Sequence, residues 1–189
     1  MHERLFALLD SYAREHPAEA EVARQIQSLV ANHDDCLLRT CRPGHLTGPA
    51  WILSADRRRC VLVHHRKLDR WLQPGGHADG EADLAAVARR EAEEETGLTR
   101  LELASTQPLD LDVHQIPARC NAAGRVIEDA HLHHDVRYLF IAADDQPPRT
   151  SDESHDVRWF DRAEALRQAG DDSVRRLIEK AGPHESPSA

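Results

Sequence analysis

The apolar residues of the N-terminal segment recur at helical spacing. A break at His16-Pro17 divides residues 2–31 into two predicted amphipathic helices, because proline interrupts the helical hydrogen-bond pattern. We predict that they form an extension, residues 1–45, packed on a main domain over residues 46–182, and that the tail 183–189 is disordered. The apolar face of the first helix consists of Leu5, Leu8, Leu9 and Tyr12.

Beyond this extension the pattern changes to the short apolar runs that are typical of strands. A helix is predicted from Leu84 to a stop at Gly97, another over residues 174–180, and Asp161 can cap the start of a third. Strands interspersed with helices predict an α/β fold in which a mixed sheet lies between helices. The predicted strands cover about 48–54, 60–65, 101–116, 126–142 and 157–160.

The helix that begins at Leu84 carries glutamates where its apolar stripe should continue. The stripe Leu84, Val87, Ala88 leads at the same spacing to Glu91, Glu94 and Glu95, whereas Ala92 and Glu93 are predicted to face solvent. Buried ionised carboxylates are costly and repel one another, so a cation is expected among them. The alternative is a solvated, glutamate-rich helix end, which is common.

A glycine-rich segment precedes this helix and suggests what the cation does. Pro74-Gly75-Gly76 follows a strand end at Trp71-Leu72 and predicts a tight loop that exposes main-chain groups. Hard ions such as Mg²⁺ take oxygen ligands and combine one or two carboxylates with substrate phosphates. The loop and the helix together predict metal-assisted phosphoryl chemistry.

The stretch from Gly76 to Leu98 resembles the Nudix box, G-x5-E-x7-R-E-U-x-E-E-x-G-U, where U is a bulky aliphatic residue. Two positions depart from it: Ala92 replaces a larger aliphatic residue, and the first glutamate is displaced from position 82 to Glu81. The resemblance implies a Nudix-type α/β/α sandwich. The matching positions are Gly76, Arg90, Glu91, Glu94, Glu95, Gly97 and Leu98.

The same resemblance implies a hydrolase that cleaves a diphosphate linkage in a nucleoside diphosphate joined to another group, with a metal-activated water attacking phosphorus. It implies that Glu91, Glu94 and Glu95 hold Mg²⁺ or Mn²⁺, with Glu91 also a candidate base. Arg90 then orients a carboxylate through a charge-assisted hydrogen bond. A further metal ligand is expected nearer the C-terminus, where Glu153 occupies the comparable place; an ordinary acid in a polar loop is the alternative.

Substrate contacts are predicted from the segment around the glycines. Arg66 lies shortly before them and suits bidentate contact with a terminal phosphate, although cationic residues at strand ends are usually just exposed. Gly75 and Gly76 are expected to let the backbone approach the substrate.

The two longest predicted strands carry polar residues at every second position. If the strands pair, these residues form one face, which we interpret as a substrate wall where His133 and Arg137 reach a phosphate or a base. A solvated sheet face and a second metal site with His and Asp ligands are the alternatives. The polar residues are Asp110, Asp112 and His114 on one strand and His131, His133, Asp135 and Arg137 on the other.

Composition limits the classes of protein that fit. The net charge of −9 over 189 residues argues against binding a nucleic acid polymer. No run is long enough for a membrane span, and the start MHERLFALLD is too charged for a signal peptide. The cysteines, Cys36, Cys41, Cys60 and Cys120, lack C-x2-C spacing, so they do not indicate zinc and read as reduced thiols of a cytoplasmic protein.

Two alternatives to a hydrolase remain at this stage. One is a nucleotide-binding sensor on an inherited Nudix fold, which loss of the box carboxylates would favour. The other is an isoprenoid diphosphate isomerase, which needs a cysteine and an acid in its pocket, and no cysteine lies in or beside the box. The diphosphate substrate is not specified by the sequence, and the N-terminal helices are a candidate surface for a homodimer.

Overall fold

The computed structural model describes residues 2–143, 146–152 and 154–182, so the predicted tail 183–189 lies outside the described residues. Its α-helices are α1 (His2–Glu15), α2 (Ala20–Asn32), α3 (Leu84–Thr96), α4 (Arg162–Gln168) and α5 (Asp172–Lys180). Its strands are β1 (Gly44–Leu53), β2 (Arg59–His65), β3 (Arg70–Leu72), β4 (Gly75–His77), β5 (Leu101–Leu103), β6 (Asp110–Ile116), β7 (Arg119–Cys120), β8 (Val126–Glu128), β9 (His131–Ala142) and β10 (Ser154–Asp161). None of the helices in the described part of the chain is long and apolar enough to cross a membrane.

The central sheet is mixed, as predicted. β1 runs parallel to β9 and antiparallel to β2, and the main strand order is β10-β2-β1-β9-β5. Three short or peripheral strands extend it: β3 pairs with β2, β4 with β1 and β6 with β9. The pair β7 and β8 forms a separate two-stranded sheet, in which β7 lies between the predicted strands over 101–116 and 126–142.

The predicted long strands over 101–116 and 126–142 are each interrupted, which corrects the sequence interpretation. β5 and β6 both pair with β9, at its opposite ends, and the chain must turn between them. Ser105 supports this turn by accepting the Gln107 N–H at 2.9 Å, and Pro108 follows. Apolar and polar residues alternate both before and after this turn, so the sequence pattern did not reveal the turn.

The N-terminal helices are divided at His16 by a 3₁₀ turn, as predicted. Leu9 and Ile26 from α1 and α2 are buried in the same apolar cluster as Leu46 and Phe140 of the sheet. The helices therefore share a core with the sheet, while the proposed boundary at residue 45 stays a prediction.

Helices cover both faces of the sheet. One face packs against α1, α2 and α3, and the other packs Trp51, Leu139 and Phe160 against Val174 and Leu177 of α5. Alternate residues of one strand serve the two cores, since side chains on a strand point to opposite faces. The α/β/α arrangement with added N-terminal helices is confirmed.

Candidate functional site

Local capping defines α3. The Asp83 carboxylate accepts the N–H groups of Ala85 and Ala86, each at 3.1 Å, at the helix start. Gly97 ends the helix in the left-handed conformation, with φ 69°, and its N–H bonds to the Glu93 carbonyl. The predicted stop at Gly97 is confirmed.

Gly48 of β1 lets α3 pack closely on the sheet. A β-carbon on Gly48 would lie 2.8 Å from Val87 Cγ1, so no larger residue fits there without a shift.

The buried stripe of α3 does not run through the glutamates, which corrects our reading of the helix. It continues from Ala88 to Ala92 and Thr96, which are all 0% exposed, so the prediction that Ala92 faces solvent is wrong. Small side chains at these i, i+4 positions let the helix approach the sheet. The carboxylates border this stripe: Glu91 and Glu95 are half-buried and Glu94 is exposed.

The segment predicted as a glycine loop is the short strand β4, paired antiparallel to β1. The Gly75 N–H donates to Glu95 Oε2 at 3.2 Å. A β-carbon built on Gly76 would overlap Glu91 Oε2, and Oε1 would be only 2.8 Å away. Both glycines therefore bring the backbone of β4 against the box carboxylates, and their predicted contact with substrate stays a prediction.

Arg90 holds the Glu91 carboxylate in place. Its Nη2 donates to Glu91 Oε1 at 2.7 Å and to the His77 carbonyl at 2.9 Å, which ties α3 to β4. Burial raises the pKa of Glu91, the negative charges of Glu94 and Asp79 raise it further, and Arg90 only partly opposes them. An oxygen-rich, under-neutralised group of this kind fits a hard divalent cation.

The displaced first glutamate of the box has a local role. Glu81 is exposed, and its Oε1 accepts the Asp83 N–H at 2.9 Å in the turn before α3. Its carboxylate therefore supports the start of the helix.

The proposed C-terminal ligand, Glu153, lies outside the described residues. The following residue is described: the Ser154 carbonyl accepts from Arg66 Nη2 at 3.1 Å. Arg66 is exposed, and this bond holds its guanidinium beside Ser154.

The polar residues of β6 and β9 do share one face. Asp110 lies opposite Arg137, Asp112 opposite Asp135 and His114 opposite His133 in the antiparallel register. This face is covered, because Asp110, Asp135 and Arg137 are all at most 2% exposed. The alternative of a solvated sheet face is therefore wrong.

Arg137 does not face a cleft, which corrects its predicted contact with substrate. Its guanidinium is 1% exposed and donates to Asp110 and Asp112 at 3.0 and 2.8 Å and to Asp135 at 2.7 Å. Arg176 and Lys180 of α5 add cationic partners to Asp110 at 2.9 and 2.6 Å. These residues form a buried ion-pair network that joins α5 to the sheet.

His133 lies beyond this network, in a group of histidines at the other end of the face. Burial lowers the pKa of His133 to about 3, despite the Asp135 charge, and that of His45 to about 4. Both rings are therefore neutral at pH 7 and offer no positive charge to a phosphate. His133 remains our proposed substrate-side residue only as a neutral hydrogen-bonding group.

The comparison with protein families agrees with the box geometry. The model for the NUDIX domain matches residues 45–181. The chain belongs to the Nudix family. A search of curated protein sequences gives no match.

Solved Nudix structures share the fold. An Ap4A hydrolase from C. elegans superposes with TM-score 0.55 at 18% identity, over 71% of this chain and 93% of that one. The NUDIX domain of Shewanella oneidensis NrtR, complexed with ADP ribose, gives 0.52 at 21% identity over 82% and 94%. The E. coli dihydroneopterin triphosphate pyrophosphohydrolase gives 0.53 at 17% over 74% and 94%.

Asp79, which sequence reasoning missed, and His77, which follows Gly76 directly, also take part in this Nudix site. Asp79 has φ 49° and contributes negative charge near Glu91, although its Asp-Gly dipeptide does signal a turn. His77 of β4 presents its carbonyl to Arg90 and its ring to His45, 5.0 Å away between centroids. No local sequence pattern indicates that His45 lies beside His77, because only the pairing of β1 with β4 and β9 brings these histidines together.

Proposed function

We propose that this Nudix chain is a divalent-metal-dependent pyrophosphohydrolase that cleaves the diphosphate linkage of a nucleoside diphosphate joined to another group. The observation that carries the proposal is the packing of Glu91 on Gly76, with Glu95 bonded to the Gly75 N–H. Two half-buried carboxylates thus converge on the backbone of β4, where we place the binding of a diphosphate together with its cation.

The residues proposed to hold the cation are Glu91, Glu94 and Glu95, with Glu153 as a further ligand. The ion would be Mg²⁺, or alternatively Mn²⁺; when bound, it neutralises charge on the phosphate oxygens and lowers the pKa of a bound water. Glu91, whose pKa is already raised, is the proposed base for that water. Arg90 keeps the carboxylate oriented through its bond at 2.7 Å.

Substrate recognition is proposed to use the backbone of Gly75 and Gly76 and the guanidinium of Arg66. Arg66 is exposed and oriented by its bond to the Ser154 carbonyl, and its planar guanidinium suits bidentate contact with a terminal phosphate. The compounds named for the C. elegans and Shewanella structures, Ap4A and ADP ribose, both contain a nucleoside linked through phosphates. We therefore propose the same general class here.

The experiment is a screen of dinucleoside polyphosphates, nucleotide sugars, ADP-ribose and nucleoside triphosphates, with and without Mg²⁺, and with products identified by mass. Mg²⁺-dependent release of phosphate-containing products supports the proposal and gives the cleavage point. Binding without turnover at any Mg²⁺ or Mn²⁺ concentration contradicts it. A separate incubation with an isoprenoid diphosphate, followed by chromatography because an isomer has the same mass, would instead reveal isomerase chemistry.

One observation favours the sensor as a second candidate. The box has alanine at position 82, where its first glutamate is usual, and Glu81 instead accepts the Asp83 N–H in the turn before α3. Ligand binding in the absence of hydrolysis is the result expected for a sensor.

A further inference from the structure

Five histidine side chains cluster near the starts of β1 and β9, apart from the ion-pair network of Arg137. His45 lies on β1 directly opposite His133 of the parallel strand β9, and His131 is two residues earlier on the same face. Centroid distances are 4.9 Å for His45 to His133, 5.0 Å for His45 to His131 and 5.3 Å for His131 to His133. His77 and His114 border this group, at 5.2 and 5.5 Å from His133.

The three central histidines can supply ligands to a single ion. One ring nitrogen from each of His45, His131 and His133 lies within 4.8 Å of the other two. Coordination at about 2.0–2.1 Å per nitrogen brings such atoms somewhat closer together, which small side-chain rotations can achieve.

His45 is buried, with both ring nitrogens unsatisfied within the described part of the chain. Its ring is 1% exposed, and neither ring nitrogen has a hydrogen-bond partner among the described residues. A neutral imidazole carries one donor and one acceptor, and buried polar atoms of this kind are normally paired. A core histidine with a purely structural role would be expected to satisfy at least one of them.

His131 shows which charge the site accepts. Its Nδ1 lies 2.9 Å from the Asp129 carbonyl, which can only accept, so in the neutral ring Nδ1 carries the proton and Nε2 carries the lone pair. Nε2 lies 4.0 Å from Glu128 Oε1, and a negative charge there disfavours an anion and suits a cation. A carbonyl bonded to the outer nitrogen is also the arrangement that orients histidines that bind metals.

We propose that His45, His131 and His133 form a binding site for a borderline transition-metal ion such as Zn²⁺, separate from the box carboxylates. Imidazole nitrogens select ions of this class, whereas Mg²⁺ prefers oxygen. Three histidines leave one coordination position for water or another group. The ion would join the starts of β1 and β9. This proposal does not depend on the hydrolase function.

The test uses the full chain without a histidine tag, stripped of metal and titrated with Zn²⁺ in millimolar Mg²⁺ so that the carboxylates are occupied. Calorimetry should show one strong site. Replacing His45, His131 or His133 with Gln should each weaken Zn²⁺ binding by on the order of 100-fold, at least as much as loss of an outer-shell partner. Glu94→Gln should retain the Zn²⁺ site, which separates this proposal from the proposed function.

Two control variants address other locations of the ion. His33→Gln removes a ligand from a separate candidate group, His33, Asp35 and Cys41, and His134→Gln removes a buried histidine from β9. Both should bind Zn²⁺ normally. Loss of binding in His33→Gln, or in His114→Gln with His45→Gln and His131→Gln unaffected, would overturn the assignment.

A measurement on the wild-type chain covers the case in which a buried variant fails to fold. Titration with Co²⁺ should give the visible absorption of a nitrogen-coordinated, four-coordinate ion, which Zn²⁺ then removes in a one-to-one ratio. The proposal is wrong if neither this spectrum nor Zn²⁺ binding is observed.

Discussion

Gly76 and Glu91 are in direct contact across the interface of β4 and α3. The space that a β-carbon would occupy on Gly76 is filled by the Glu91 carboxylate, with Oε1 2.8 Å from that point. Arg90 Nη2 also donates to Oε1 of this carboxylate, at 2.7 Å. The position of the proposed base thus depends on the absence of a side chain at residue 76.

Gly76→Ala should displace the Glu91 carboxylate while leaving the helix caps intact. Hydrolysis is expected to fall by about 100-fold, since a displacement near 1 Å at a catalytic group has that effect. Steady-state kinetics of the identified substrate with saturating Mg²⁺ would measure it.

A double-mutant cycle with Glu91→Gln provides the control. If Gly76→Ala acts through Glu91, it should reduce the residual rate of Glu91→Gln far less than the wild-type rate. Equal effects in both backgrounds would assign the loss to a general distortion of β4.

Glu94→Gln tests the proposed cation among the box carboxylates. Turnover should fall by roughly 10²–10⁴-fold, the range for a lost catalytic group. Without metal the variant should melt no lower than wild type, because Glu94 raises the pKa of Glu91 by repulsion and the change removes that charge. Mg²⁺ should raise the melting temperature of wild type, since it binds the folded state.

The matched control is Glu93→Gln, one residue away on the same helix. Turnover and the stabilisation by Mg²⁺ should stay close to wild type. Similar behaviour of the two variants, with no effect of Mg²⁺ on wild-type melting, would contradict metal binding by the box.

Arg137→Met should affect stability, because Arg137 bonds to three carboxylates in a buried setting. Removing one partner from a buried ion pair typically costs about 3–5 kcal/mol of unfolding free energy. Urea unfolding monitored by circular dichroism would measure this loss. The control is Arg24→Ala, which breaks only the exposed pair with Glu21 and should change stability little. Unchanged stability of Arg137→Met would mean that the network is not formed.

Because His134 is buried, the free energy of unfolding should decrease between neutral and mildly acidic pH. Burial lowers the pKa of His134 from 6.5 to about 4 in the folded chain. As pH falls below 6.5 the unfolded chain gains a proton that the folded chain does not bind, so stability is full above 6.5 and declines down to about pH 4. The contribution between pH 7 and pH 5 should be about 1–2 kcal/mol.

Urea unfolding at the two pH values, with His134→Gln, would measure this contribution. The variant should lose less stability than wild type on acidification, because Gln does not titrate. His155→Gln changes an exposed histidine and should behave like wild type. An unchanged pH dependence in His134→Gln would show that folding does not lower the pKa of His134.

The sequence determined the elements whose signals are local. Gly97, the break at His16 and the cap at Asp161 depend on backbone conformation and hydrogen bonds within a few residues, and these features were predicted. The Nudix box was also readable, because its residues are consecutive on one strand, one turn and one helix.

Only the tertiary structure decided how these elements meet. The small residues Ala92 and Thr96, and not the glutamates, face the sheet. The reason is that α3 packs closely on β1, and only the side of the helix with small side chains fits into that space. Arg137 became part of a buried network because α5, distant in sequence, brings Arg176 to the same carboxylates. The histidine group likewise depends on the parallel pairing of β1 with β9, a contact between segments nearly ninety positions apart that no local periodicity encodes.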